Sequence, residues 1–158
     1  MKYVRLIALI SLAISAPALA DWQPTKWGMT TEQVIKATGD RAKPNTDSDA
    51  ESDELLTMPY TQAGLHFTAY FEFDEDTKLL TGVKLEAANS DCENAFKMLK
   101  SSYGAPTTSA QGMAGDMDRW QDIGGSTRVM AVALPSRSKA NYCSITFRPL
   151  PPAKPARS

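Results

Sequence analysis

The feature that most constrains the fold is a strict alternation of apolar and polar residues over nine positions, from Leu65 to Phe73. Because successive side chains of a β-strand point to opposite faces, this period of two predicts a strand with one buried and one solvated face. A polar turn over residues 74–78 has hairpin length, and residues 79–87 follow as the paired strand. We therefore expect an antiparallel sheet.

A short helix is predicted over residues 31–38, before this hairpin. Thr30 can cap its first turn and Gln33, three residues later, can reach back to the cap, which is the pattern of a capping box. Met29 and Val34 stand where a hydrophobic staple is expected, and Gly39 supplies the residue that ends such helices.

A second, longer helix is predicted after the hairpin, with Ser90 as its N-cap, Glu93 at the third helical position and Gly104 at its end. Its apolar residues recur at helical spacing on one face: Cys92, Ala95, Phe96, Leu99 and Tyr103.

The other elements follow from composition and turn residues. Strands are predicted over 54–60, 117–123, 127–134 and 142–147, and Gly124-Gly125 is a hairpin signal. Residues 40–53 are interpreted as a solvated loop, residues 107–116 as a flexible loop and residues 135–140 as a turn, while Trp22 and Trp27 are expected at the edge of the domain.

The order of elements repeats with an offset of about 60 residues, which favours one α+β domain built from a tandem α-β-β-β repeat. We predict an antiparallel sheet with two helices packed on one face. The domain would span residues 21–148, with pseudo-repeats over about 27–88 and 89–148. The proline-rich residues 149–158 are expected to form a disordered tail.

Residues 1–20 have the pattern of a cleaved export signal. Lys2 and Arg5 precede an apolar run, and Ala18-Leu19-Ala20 is a cleavage pattern that predicts a cut after Ala20. The alternative is an uncleaved membrane anchor. Cleavage would leave a chain with no other apolar run long enough to span a membrane, so we expect a periplasmic or secreted protein without stable membrane insertion.

Charge and cysteine content narrow the function further. Without the signal, 15 basic and 18 acidic residues remain, and no basic stripe is present, which argues against nucleic-acid binding. An exported protein is in an oxidising compartment, so a disulfide between its two cysteines, Cys92 and Cys143, is expected. The alternative is a pair of unpaired buried thiols.

The run Gly28-Met29-Thr30 with Gln33-Val34 and Gly39 resembles the opening of two related groups. One is the BamE/SmpA-like lipoproteins of outer-membrane β-barrel assembly, and the other is the β-lactamase inhibitory proteins. The resemblance implies helices on an antiparallel sheet and a protein-binding role. The chain lacks the lipobox cysteine of the first group and has one cysteine in each half, whereas the second has a disulfide within each repeat.

No catalytic, cofactor or metal site is predicted. His66 is the single histidine and falls on the outward register of a strand, away from any nucleophile motif. The acidic clusters over residues 47–53 and 72–76 lack the calcium-loop pattern and are interpreted as solvated segments. A glycosidase-type carboxylate pair is left open, because its separation depends on the fold.

The outward registers of the sheet are the candidate site. If both helices cover one face, the other is free to bind a second exported protein, and the alternative is an ordinary polar sheet face. Our first hypothesis is a non-enzymatic binding domain of inhibitor, immunity or envelope-assembly type. The alternatives are a periplasmic hydrolase acting on cell-envelope material and a small-ligand carrier. The candidate face comprises His66, Thr68, Tyr70, Glu72, Lys84, Glu86, Tyr142 and Arg148.

Overall fold

The computed structural model of the protein describes residues 22–87, 89–113, 115–123, 125–134 and 142–151. The predicted signal sequence, the turn over 135–140 and residues 152–158 of the predicted tail lie outside these ranges. No helix within the described ranges is long and apolar enough to cross a membrane.

The described residues form two α-helices and one antiparallel sheet. The helices are α1 (Thr31–Ala37) and α2 (Cys92–Tyr103), and a 3₁₀ turn over Asn89–Asp91 precedes α2. The strands are β1 (Lys43–Pro44), β2 (Glu54–Gln62), β3 (Leu65–Phe73), β4 (Leu80–Ala87), β5 (Thr108–Gly112), β6 (Gly115–Ile123), β7 (Thr127–Leu134) and β8 (Tyr142–Pro149).

The sheet has the order β1-β2-β3-β4-β8-β7-β6-β5, and every neighbouring pair is antiparallel. The predicted α+β class and antiparallel sheet are confirmed. The tandem repeat and the packing of both helices on one face stay predictions.

Helix α1 begins as its sequence predicts. The backbone N–H of Gln33 donates to Thr30 Oγ1 at 3.4 Å, and the backbone N–H of Thr30 donates to Gln33 Oε1 at 2.9 Å, so both halves of the capping box are present. Gly39 has a φ of 63°, the left-handed conformation expected after a helix end.

The cap predicted for α2 is wrong. Ser90 lies inside the 3₁₀ turn, and Asp91 takes the N-cap position without a side-chain cap bond. Asp91 has a helical backbone (φ −102°, ψ −2°) instead of the extended backbone that a capping side chain needs. Glu93 pairs with Lys97 at 2.7 Å, one turn further along α2.

Two segments predicted as loops contain strands, and both strands lie at the edges of the sheet. β1 is a two-residue strand within residues 40–53, and β5 replaces half of the predicted flexible loop over 107–116. All five residues of β5 are exposed, so neither of its faces requires apolar side chains and the alternation that identifies a strand is missing.

Strand β2 continues two residues beyond its predicted end, through Pro59. β1 pairs with β2 only at Leu56 and Thr57, so Pro59 stands where that edge of β2 is open. Its missing N–H therefore removes no hydrogen bond from the sheet. At the other end of the chain, Pro149 closes β8 opposite Thr127, and Leu150 N donates to Ser126 O at 2.7 Å.

The core lies on the inward register of the strands. β3 contributes Phe67, Ala69, Phe71 and Phe73, and the helices contribute Val34, Ala95 and Leu99 to the same buried cluster. Trp22 is 4% exposed, and its ring makes edge contacts with Tyr60 and Phe71 at centroid distances of 5.0 and 5.7 Å. Trp22 is therefore a core residue, contrary to its predicted edge position, because the lead-in folds back over the inward face.

Helix α2 is connected to inward residues of the sheet at three points. A disulfide joins Cys92, its first residue, to Cys143 of β8, with a Cα–Cα distance of 5.6 Å. Lys100 Nζ lies 3.0 Å from Asp118 Oδ2, and Trp120 Nε1 donates to Gly104 O at 3.0 Å. The predicted disulfide is thus confirmed.

Candidate functional site

The outward register of the strands forms a continuous row across the middle of the sheet. Tyr70 stands opposite Lys84, Lys84 opposite Thr146, Thr146 opposite Met130 and Met130 opposite Arg119. We call the surface of this row and the rows beside it the outer face. These five side chains are half-buried, so they are packed against one another and still reachable.

Lys84 is the centre of a polar network on this face. Its ammonium group contacts the carboxylate of Glu54, lies 3.0 Å from Glu86 Oε1 and stands 5.0 Å from the centroid of the Tyr70 ring. The Lys84 side chain is only 12% exposed, so these contacts hold it in one position. Burial, followed by the charge of Glu86, raises the pKa of the Tyr70 hydroxyl.

Glu72 lies on the outer face but is buried, with 4% of its surface exposed. Its carboxylate forms an ion pair with Arg148 Nη2 at 2.6 Å. The same carboxylate lies directly above Gly82 of β4, where a Cβ atom would collide with it. A glycine at position 82 is therefore what lets Glu72 reach Arg148. Burial raises the pKa of Glu72 to about 6, against the opposing effect of the Arg148 charge.

An acidic segment borders the outer face next to this network. Asp47, Asp49 and Glu51 line a groove of about 410 Å³ together with Tyr70, Lys84 and Glu86. The segment is held by two hydrogen bonds: Asn45 Nδ2 donates to Glu54 O of β2 at 3.0 Å, and Ser52 Oγ donates to Glu75 Oε1, in the turn between β3 and β4, at 2.7 Å. The groove therefore combines acidic groups with an aromatic ring.

The other half of the outer face is basic. Arg119, Arg128 and Arg148 line a pocket of about 340 Å³, with Met130 and Thr146 between them. We call these five residues the arginine pocket. The outer face thus carries opposite charges at its two sides, acidic towards β2 and basic towards β6.

The register places seven of the eight predicted face residues on the outer face. His66 and Thr68 are exposed near the end of β3 that joins β2, and His66 Nδ1 lies 3.2 Å from Thr61 Oγ1. Tyr70, Glu72, Lys84, Glu86 and Arg148 belong to the networks above. The backbone of Tyr142 pairs with Leu134, and its side chain lies outside the described part of the structure.

Five contributors to the row, the polar network and the arginine pocket were not among the predicted face residues: Glu54, Arg119, Arg128, Met130 and Thr146. Arg119 had a usable signal, because it precedes the inward Trp120 in a predicted strand and must therefore point outward. Glu54 had none, since its position beside Lys84 depends on the pairing of β2 with β3 and of β3 with β4.

A pair of buried carboxylates among the described residues bears on the hydrolase alternative. Glu54 and Glu72 stand opposite each other on β2 and β3, and both are buried. Lys84 contacts the first and Arg148 the second, so each carboxylate has its own cation. Among the described residues, no group of three or more His, Cys, Asp or Glu side chains is arranged to hold a metal ion.

A separate cleft lies on the other side of the sheet. It has a volume of about 480 Å³, and the residues that line it include Trp22, Tyr103, Ile123 and Phe147. Burial raises the pKa of Tyr103 in this cleft. Three aromatic side chains and the absence of charged residues among its described lining residues distinguish it from the outer face, and we call it the aromatic cleft.

Neither a protein-family model nor the sequence of a curated protein matches this chain. Among solved structures, the chain is similar to a DUF4309 family protein (YjgB) from Bacillus subtilis subsp. subtilis str. 168. The two are 9% identical, the similarity covers 83% of this chain and 85% of that chain, and the TM-score is 0.49. A likeness of this size carries no information about function.

Proposed function

We propose that the protein is an exported, non-enzymatic protein-binding domain that uses the outer face of its sheet to contact another periplasmic or secreted protein. The observation that carries the proposal is the row of half-buried side chains from Tyr70 across to Arg119, which crosses five strands. The resemblance of residues 28–39 to inhibitory and assembly proteins supports the same class of function, with inhibitor, immunity and assembly roles as its members.

The side chains of this row are suited to binding because their positions are already set. Lys84 is held by Glu54, Glu86 and the Tyr70 ring, so little side-chain entropy remains to be lost when a partner covers it. Tyrosine and arginine are also the residue types that contribute most at protein interfaces. Both are present here, at opposite sides of Lys84.

The placement of the helices supports an open outer face. The contacts of α2 through Cys92 and Lys100 go to inward positions of the sheet, and Val34 of α1 belongs to the same buried cluster. A tandem α-β-β-β repeat with both helices on that side would leave the outer face free across its whole width. The disulfide supports export, since such bonds persist in oxidising compartments.

The test begins with a photo-crosslinking residue at Thr68, on the exposed part of the outer face, and a matched one at Lys97, on the exposed surface of α2. Extract of the exported fraction is the source of partners. We expect a protein that crosslinks through position 68 and not through position 97. A protein captured equally from both positions would contradict the proposed face.

The captured protein, once purified, allows a quantitative test. Tyr70→Ala and Tyr142→Ala should each weaken its binding at least fivefold, because tyrosine is enriched among the interface residues whose truncation costs more than about 1 kcal/mol. Glu86→Lys should also weaken it, whereas Glu93→Lys, the same charge change on α2, should not. Unchanged affinity in all the outer-face variants would refute the proposal.

The aromatic cleft favours a small-ligand carrier as the second candidate function. Its volume of about 480 Å³ falls within the range of small-molecule sites, roughly 300 to 1,000 Å³. An apolar fluorescent probe that quenches tryptophan emission, and loses this effect in Ile123→Asp, would support it. Absence of any saturable probe binding would exclude the carrier function and leave the outer-face proposal untouched.

A further inference from the structure

We infer that the arginine pocket is a binding site for a small organic oxyanion, a phosphomonoester or carboxylate whose apolar part packs on Met130. The site goes beyond the proposed function because it requires no protein partner. Its basis is the position of Arg119, Arg128 and Arg148 around one cavity of about 340 Å³.

The pairing of β6, β7 and β8 brings these three side chains together. Arg128 stands directly opposite Arg148, and Arg119 stands opposite Met130, two residues along β7 from Arg128. Residues two apart on a strand share a face, so the third guanidinium group lies diagonally next to the facing pair. Thr146, opposite Met130, completes the lining with a hydroxyl group.

The described acidic side chains balance only one of the three positive charges of the pocket. Within the described part of the chain, Arg148 forms an ion pair with Glu72, and no ion pair involves Arg119 or Arg128. Three guanidinium groups and one carboxylate leave two positive charges in excess. Like charges at neighbouring positions of adjacent strands repel each other, so an anion between the diagonal neighbours Arg119 and Arg128 would lower this repulsion.

The chemistry of the lining selects the kind of anion. Guanidinium groups form two parallel hydrogen bonds to the oxygens of carboxylates and phosphates, which a single ammonium group does not. Arg119 Nη2 lies 3.8 Å from Met130 Sδ, which places apolar surface next to the charged groups. The cavity also falls within the size range of small-molecule sites, roughly 300 to 1,000 Å³. An organic oxyanion uses the charges and the apolar surface together.

The test uses phenyl phosphate, benzoate and inorganic phosphate as probes of the full mature protein at constant ionic strength. Calorimetry should give saturable one-site binding, and a tenfold excess over Kd should raise Tm by about 3–6 °C. Phenyl phosphate or benzoate should bind more tightly than inorganic phosphate, because inorganic phosphate has no apolar part to contact Met130. Whichever of the two binds more tightly identifies the source as a phosphomonoester or a carboxylate.

Arg128→Gln and Arg119→Gln should each raise the Kd of the preferred probe at least fivefold. Lys43→Gln, which removes one exposed positive charge on β1, should leave it unchanged. Arg128 is exposed, so its replacement tests the site even if the Arg119 variant does not fold. Equal effects of sodium chloride and probe on Tm, or equal affinity in Arg128→Gln and Lys43→Gln, would overturn the inference.

Discussion

Replacing Glu72 with glutamine should change how stability depends on pH, because this carboxylate is buried on the outer face between β2 and β4. Burial raises its pKa from 4.5 to about 6. A group whose folded pKa is above its unfolded pKa stabilises the fold fully below the unfolded value. This stabilisation is lost as the pH rises from about 4.5 through 6.

The size of the effect follows from the shift. At 1.36 kcal/mol for each pKa unit, ionisation of Glu72 costs the folded state about 2 kcal/mol at neutral pH. Glutamine keeps the shape of the side chain and does not ionise. The free energy of unfolding of Glu72→Gln, relative to the parent protein, should therefore rise by about 2 kcal/mol between pH 4 and pH 7.5.

Urea unfolding followed by circular dichroism, with the disulfide intact, measures both proteins at each pH. Taking the difference between them cancels the titrating groups that do not interact with Glu72. Glu93→Gln on α2 is the control, because the hydrogen bond and charge of Lys97 lower the pKa of Glu93. The relative stability of this variant should move in the opposite direction as the pH rises.

Arg148→Gln gives an independent check, since the Arg148 charge lowers the pKa of Glu72. Carboxyl-carbon NMR of Glu72 should titrate at a higher pH in this variant than in the parent protein. A stability difference between Glu72→Gln and the parent that stays constant within 0.5 kcal/mol from pH 4 to 7.5 would refute the reasoning.

Three further predictions concern the fold. Replacing both Cys92 and Cys143 with serine should lower the free energy of unfolding by about 4 kcal/mol, the chain-entropy value for a loop of 51 residues. Mass spectrometry that finds two alkylated thiols in unreduced mature protein would contradict the disulfide itself. Gly82→Ala should cost about 1–3 kcal/mol because its Cβ meets the Glu72 carboxylate, and a double-mutant cycle should show a smaller cost in a Glu72→Ala background. Thr30→Ala should cost about 1 kcal/mol in chemical denaturation by removing the cap of α1, whereas an equal loss in Ser90→Ala would contradict the different starts of the two helices.

The elements predicted well are those whose signal is local. β3 and β7 have the predicted bounds, because a half-buried or buried strand must place apolar side chains at fixed intervals. The capping box of α1 was equally readable, since Thr30 and Gln33 are three residues apart. The disulfide was predicted from compartment and from the inward register of both cysteines.

The elements that were missed depend on neighbours distant in sequence. β5 is a strand because β6 supplies hydrogen-bond partners along its length, and its own residues carry no alternation. The predicted N-cap of α2, Ser90, has the same sequence pattern as the cap of α1. It does not cap α2, because it lies inside the 3₁₀ turn that precedes the helix. Trp22 is buried because Tyr60 and Phe71 surround it, and a single tryptophan in a polar lead-in does not indicate this.

Spacing along single strands and helices was enough to predict the α+β class, the inward and outward registers of the main strands, and most residues of the outer face. Which of these outward residues meet depends on the order of the strands in the folded sheet. Strand order placed Glu54 next to Lys84, Glu72 next to Arg148, and three arginines around one pocket. Those contacts arise from pairing between strands that are distant in the chain, and electrostatic interactions depend on such distances in space rather than on spacing in sequence.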